Sequence, residues 1–224
     1  MKYFKATILI LSLPFFIACS DDPSSSSESK AVVGTMTDPR DGQVYKTVEI
    51  SGKTWMAENL RYSYNEESKN QCYAYDDEEG TECKLFGQLY TYQAAKTACP
   101  EGWHLSTLEE WWSVTDYAFR TSDLMLADGW AECEEEWTNT SEFGLVAAGA
   151  LEDEGTGWPI SKGRAYYAYY WTPQKVGRGS SEANVFNFIL HTADPIKKTS
   201  SAVEYGEKLI TKEPVYLSVR CVKD

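Results

Sequence analysis

Gln93-Ala-Ala-Lys-Thr-Ala-Cys-Pro-Glu-Gly-Trp-His-Leu-Ser-Thr-Leu-Glu-Glu-Trp111 is the stretch on which the fold turns. It reads as the end of one helix, a turn pinned by a cysteine and the start of a second helix. Thr107-Leu-Glu-Glu110 has the form of a capping box, in which the Thr hydroxyl accepts from the amide three residues on and the Glu carboxylate accepts from the cap amide. Leu108, Trp111, Trp112, Thr115, Ala118 and Phe119 then recur at three- and four-residue spacing, which lays a bulky, mostly apolar stripe along one side of a helix. That side must be buried. Upstream, Ala94, Ala95 and Ala98 share helical spacing and predict a short helix within Leu89 to Ala98 that ends at Cys99-Pro100 and packs closely on another element.

Outward from this pair the pattern changes to strands. Gln43 to Ile50 alternates at period two, Ser51-Gly52 supplies a two-residue turn and Lys53-Thr-Trp-Met56 begins the return, so a β-hairpin is predicted, with Val44, Thr47 or Val48, and Trp55 competing for its inner face. Asp38-Pro-Arg-Asp-Gly42 ahead of it is turn chemistry. Beyond Phe119, Phe143 to Leu151, Tyr166 to Thr172, Val185 to His191 and Val215 to Val222 are strand candidates, with Gly144 and Gly149 weakening the first. Several short, mostly antiparallel strands after two short helices predict an α+β domain.

The chain opens with Lys2 and Lys5, an apolar run from Ala6 to Ala18 and then Cys19, the pattern of an export signal too short to span a bilayer. Phe16-Ile-Ala-Cys19 resembles a bacterial lipobox, with Phe16 where Leu is usual, so Cys19 is the expected lipidation site and residues 1–18 the cleaved signal. Three acyl chains hold a protein on a membrane, because each buried CH₂ contributes roughly 0.8 kcal/mol. Residues 19–36, rich in Ser and acids, are too polar to build a core and read as a tether. Residues 37–224 form one domain.

The formal charge is −13, and residues 1–18 remove two Lys and no acid, leaving 19 basic against 34 acidic residues, or −15. Such a surface disfavours nucleic acid. The acidic runs Asp76 to Glu79 and Glu132 to Glu136 lack the alternating oxygen ligands of a calcium loop and read as solvated. Five cysteines lie beyond Cys19. Export favours disulfides, and an odd number leaves one thiol over. Cys72 and Cys83 flank a turn and close a short loop, Cys99 and Cys221 tie the helix pair to the C-terminal strand, and Cys133 remains, free, buried or intermolecular.

Asp38-Pro-Arg-Asp-Gly-Gln-Val-Tyr-Lys-Thr-Val48, Thr54-Trp-Met-Ala-Glu-Asn-Leu60, Cys99-Pro-Glu-Gly-Trp-His-Leu105, Tyr170-Trp-Thr172 and Ser218-Val-Arg-Cys-Val-Lys-Asp224 together resemble the Fibrobacter succinogenes major paralogous domain. The resemblance covers nearly all of the chain after the tether. Ser106 stands where that family tends to have Pro, and Thr172 where it tends to have Ser. The resemblance implies a C-type lectin-like fold, disulfide-stapled between Cys99 and Cys221, and a second helix like that of formylglycine-generating enzymes. It implies no activity, because fold supports architecture better than function.

The calcium-dependent sugar site of C-type lectins uses Glu-Pro-Asn or Gln-Pro-Asp with Trp-Asn-Asp, and this chain has Thr172-Pro-Gln174 and Val185-Phe-Asn187. His104 and His191 are the two histidines, too few for a three-His metal site, and His104 between Trp103 and Leu105 reads as a hydrogen-bonded structural residue. No phosphate-cradling Gly-Lys loop or Gly-x-Ser-x-Gly elbow is present. Eight Trp and fifteen Tyr are the remaining signal. Trp158, Tyr166, Tyr167 and Tyr169 crowd a Gly-rich segment and are the candidate ligand-binding residues, and strand alternation sets Tyr167 and Tyr169 on one face and Tyr166 and Tyr170 on the other. The expectation is a non-catalytic domain, lipid-anchored at the outer membrane and exposed at the cell surface, that binds polysaccharide or a neighbouring surface protein without cofactor or metal. The alternatives are an envelope enzyme acting on carbohydrate through acidic residues and a purely structural envelope lipoprotein.

Overall fold

A computed structural model describes residues 31–64, 70–71, 81–132, 136–152, 160–175, 182–194, 199–211 and 215–224. The first strands form a meander: β1 (Val33–Thr37), β2 (Val44–Ile50) and β3 (Lys53–Met56). Ser51 and Gly52 both take positive φ, 50° and 74°, the geometry whose twist matches a two-residue hairpin. Val48 then faces Trp55 across the strands. Both are fully buried, as is Tyr45, whereas Val44 is 54% exposed, so Val44 loses the competition for the inner face. Because β1 takes up Val33–Thr37, the last residues of the segment read as a tether lie in a strand.

The chain continues through β4 (Asn70–Gln71), α1 (Thr81–Phe86), β5 (Leu89–Thr91), α2 (Tyr92–Ala95), β6 (Trp103–Leu105) and α3 (Leu108–Tyr117). The helix expected over Leu89 to Ala98 is therefore a strand followed by a single turn. Thr91 caps that turn, its hydroxyl accepting from the Ala94 amide at 3.3 Å. Ala94, Ala95 and Ala98 are buried as their spacing required. In α3 the capping box forms, with the Glu110 amide donating to Thr107 Oγ1 at 3.2 Å and the Thr107 amide donating to Glu110 Oε2 at 2.9 Å. The buried stripe is Leu108, Trp111, Val114 and Thr115. Trp112 sits at its edge, and Phe119 lies past the helix end, 94% exposed.

The remaining strands are β7 (Ala150–Glu152), β8 (Ile160–Lys162), β9 (Tyr167–Lys175), β10 (Glu182–Asp194), β11 (Thr199–Thr211), β12 (Val215–Ser218) and β13 (Cys221–Lys223). One sheet has the order β1-β2-β3-β13-β6; the other runs β11-β10-β9-β12-β5-β4, with β7 pairing β12 and β8. The expected α+β, C-type lectin-like arrangement of two helices on short strands is thus overturned: two sheets of thirteen strands dominate the described residues. Three features of the chain defeat that expectation. β10 and β11 are 13 residues long and pair as one hairpin. Phe143 to Leu151 is mostly irregular, Gly144 and Gly149 both having positive φ. Val215 to Val222 is broken at Val219-Arg220, where the chain passes from the second sheet to the first.

Trp111 joins the two sheets. Its ring lies 5.2 Å from that of Trp55 in β3, 4.5 Å from Tyr170 in β9 and 5.6 Å, stacked, from Phe186 in β10. A second buried cluster, with Tyr45, Tyr90, Trp171, Val185 and Leu217, fills the opposite face of β9 and β10. The disulfide between Cys99 and Cys221 spans 122 residues and fixes the turn after α2 to β13. No helix among the described residues is long and apolar enough to cross a membrane.

Candidate functional site

Strand alternation in β9 sends Ala168 and Tyr170 into the core around Trp111, where both are fully buried. Tyr167, Tyr169 and Trp171 take the other face. Trp171 is buried, and its indole donates to the Tyr90 carbonyl at 2.6 Å. Tyr169 and Tyr167 carry the same row outward and are only half-buried. Their rings lie 5.9 Å apart and 4° from parallel. Tyr166 precedes β9, packs against the Trp111 core and is not part of this row. Trp158 lies outside the described residues.

Tyr167 and Tyr169 line a groove of about 390 Å³ with Glu152 from β7, Ile189 from β10, Lys208 from β11 and Leu217 from β12. Lys208 Nζ stands 5.5 Å from the centre of the Tyr169 ring, within reach of a cation–π attraction. Gly163 in the turn before β9 has φ +71°, and a Cβ there would come within 2.1 Å of the Tyr167 ring. Glycine is therefore required for Tyr167 to lie where it does. Burial, then Tyr167 and Glu152, push the Tyr169 hydroxyl above its ordinary value of 10.0. It stays protonated and able to donate at neutral pH. Two phenols, an apolar floor and one acidic and one basic side chain make the groove amphipathic.

Behind the groove, Arg220 is fully buried at the crossing between the sheets. Its Nη1 donates to the carbonyls of Met56 at 3.1 Å and Phe143 at 2.9 Å, and its Nη2 donates to Asn59 Oδ1 at 2.8 Å and the Gly144 carbonyl at 3.1 Å. Asn59 Nδ2 in turn donates to the Phe86 carbonyl and Ser218 Oγ. The Tyr170 hydroxyl donates toward Asn59 Oδ1 at 3.1 Å and the Val146 carbonyl at 3.3 Å. Arg220 Nε finds no partner among the described residues. Asn59, Tyr170, Ser218 and Arg220 stand in three of the five stretches that carry the family resemblance, but reading those stretches singly did not bring them together. The available signal was an arginine set inside the apolar run Val219-Arg-Cys-Val222.

His104 takes the hydrogen-bonded place its neighbours suggested. Its Nδ1 lies 2.7 Å from Asp224 Oδ1 and its Nε2 3.0 Å from Glu110 Oε1, which also accepts from Lys53 Nζ at 2.9 Å. Burial pushes the Glu110 carboxyl up, but Lys53, the Thr107 amide and His104 together hold it below its ordinary value of 4.5. No group of three or more His, Cys, Asp or Glu able to hold a metal occurs among the described residues. Cys83 is disulfide-bonded; Cys72, its expected partner, and Cys133 and Cys19 lie outside the described residues.

A family model described as the Fibrobacter succinogenes major domain matches residues 48–223. No curated protein and no solved structure matches the chain.

The lowered Glu110 value fixes the sign of an acid dependence. A carboxyl depressed on folding contributes stability above its unfolded pKa, and that contribution is lost as pH falls through the folded value. Glu110→Gln is expected to be less stable than the parent at pH 7 by about 1 to 2 kcal/mol. The gap should close as pH is lowered through 4.5 and below, as read by urea unfolding across that range.

Proposed function

The chain belongs to the Fibrobacter succinogenes major domain family, and from that premise we propose that it is a non-catalytic domain, lipid-anchored at the cell surface, that binds polysaccharide. The observation that carries this reading is the pair of parallel, half-buried rings of Tyr167 and Tyr169 in a groove on the face of the second sheet. Exposed faces of such rings stack on the apolar faces of sugar rings, while the phenol hydroxyls, Glu152 and Lys208 meet sugar hydroxyls at the groove walls. The anchor rests on Phe16-Ile-Ala-Cys19 and the polar segment after it, and the outer membrane is the proposed location.

Two measurements test this. Binding of neutral plant and bacterial polysaccharides to the full chain is expected to saturate without cleavage. Tyr167→Ala and Tyr169→Ala should each weaken it by roughly tenfold or more, the scale of losing an aromatic contact at the centre of an interface. Unchanged binding in both variants removes the groove from the reading, and release of shorter sugars transfers the protein to the enzymes. Separately, labelling of growing cells with a radioactive fatty acid should mark the parent chain and leave Cys19→Ala unmarked. Equal labelling of the two would refute the anchor.

A further inference from the structure

β11 forms one end of the second sheet: among the described residues it pairs on one side only, with β10. A 13-residue edge strand offers a row of unpaired amides and carbonyls, and exposed charges usually guard such an edge against stray strands. Here the charges have a particular order. Val203-Glu-Tyr-Gly-Glu-Lys-Leu209 carries exposed Glu204, Glu207 and Lys208, and leaves Tyr205 38% and Leu209 48% exposed.

We propose that β11 pairs with β11 of a second copy of this chain, antiparallel, about a twofold axis at Gly206. In an antiparallel pair related by a twofold axis normal to the sheet, one residue must stand opposite itself. Gly206 as that residue sets Glu204 opposite Lys208, Tyr205 opposite Glu207 and Val203 opposite Leu209, each pair occurring twice. Opposite charges meet, a phenol meets a carboxylate and two apolar side chains meet, all favourable cross-strand neighbours. Centring on Glu204, Glu207 or Lys208 would place like charges face to face. Centring on Tyr205 would leave Glu204 opposite Gly206 and Glu207 opposite Val203. Of the registers centred on Glu204 to Lys208, the one at Gly206 is complementary to itself, and the charges that repel an unmatched strand favour its own copy. Gly206 has open space where a Cβ would stand, so nothing at the axis keeps the backbones apart. Glu204 and Lys208 share a strand face with the Tyr167 and Tyr169 groove, which Lys208 lines. The dimer would therefore place two grooves on one face of a continuous sheet, fit for two sites on one polymer.

The test is oxidative cross-linking of the full chain in the membranes that carry it, with the parent chain run alongside to account for its native cysteines. Residues directly opposite in an antiparallel pair have Cα atoms about 4.5 to 5.5 Å apart, within disulfide reach. Gly206→Cys is expected to give a dimer that reductant dissolves. Glu204→Cys, whose copy would lie about 13 Å along the strand, should give no more dimer than the parent. Lys208→Glu in the Gly206→Cys background should cut the cross-linked yield by roughly tenfold, and Glu204→Lys added to it should restore the yield. A Gly206→Cys chain that stays monomeric, equal cross-linking at 204 and 206, or a charge swap that fails to restore the yield overturns the proposal.

Discussion

The guanidinium of Arg220 brings a charge to the place where the chain passes from one sheet to the other, and three backbone carbonyls with the Asn59 amide oxygen receive it in place of a carboxylate. An isolated charge in such a place would cost several kcal/mol. Four hydrogen bonds from a charged donor, each contributing about 1.5 to 3 kcal/mol, offset that cost. The acceptors come from separate parts of the chain: Met56 ends β3, Asn59 follows it, and Phe143 and Gly144 lie in the irregular run before β7. These four bonds therefore form only when β3, the segment after it and this irregular run are all in place. The faces of Phe143 and Tyr170 complete its enclosure, 4.8 and 5.7 Å from the guanidinium carbon.

The same node sets the groove. Tyr170 points into the Trp111 core and is held by Asn59 Oδ1 and the Val146 carbonyl, so the residues on either side of it must take the opposite face of the strand. Trp171, buried and held by Tyr90, forms one end of that second row, and Tyr169 and Tyr167 extend it into the groove. A one-residue slip of β9 would exchange the two rows entirely. The bond from Tyr170 to Asn59 opposes that slip. The half-exposed tyrosine pair is thus positioned by buried polar contacts on the far side of its own strand.

Local signals carried part of this structure. The Thr107 capping box, the Ser51-Gly52 turn and the opposite faces of Tyr167 and Tyr170 depend on residues within a few positions of each other, and each forms as its spacing required. The Cys99–Cys221 disulfide apart, outcomes that depended on distant partners were misread or missed. Leu89 to Thr91 is drawn into the expected helix by the spacing of Ala94, Ala95 and Ala98 downstream, but it is a strand because β12 and β4 pair with it. β11 passes unnoticed because Gly206 and three charges interrupt its alternation, yet β10 supplies a full partner strand. Val215 to Val222 reads as one strand because nothing local marks the crossing at Val219-Arg220. Asn59 and Arg220 are 161 residues apart, and no spacing argument joins them. The α+β expectation failed for the same reason: pairing across long separations set the strand content.

Equilibrium urea unfolding of Arg220→Met measures the dependence of the fold on this node most directly. Methionine keeps much of the volume but leaves the Met56, Phe143 and Gly144 carbonyls without their donor. A loss of about 3 to 5 kcal/mol is expected, because three buried carbonyls are left without this donor and each such loss costs about 1 to 3 kcal/mol. A loss within about 0.5 kcal/mol, the range of an ordinary surface substitution, would contradict the central role of Arg220 in joining the two sheets.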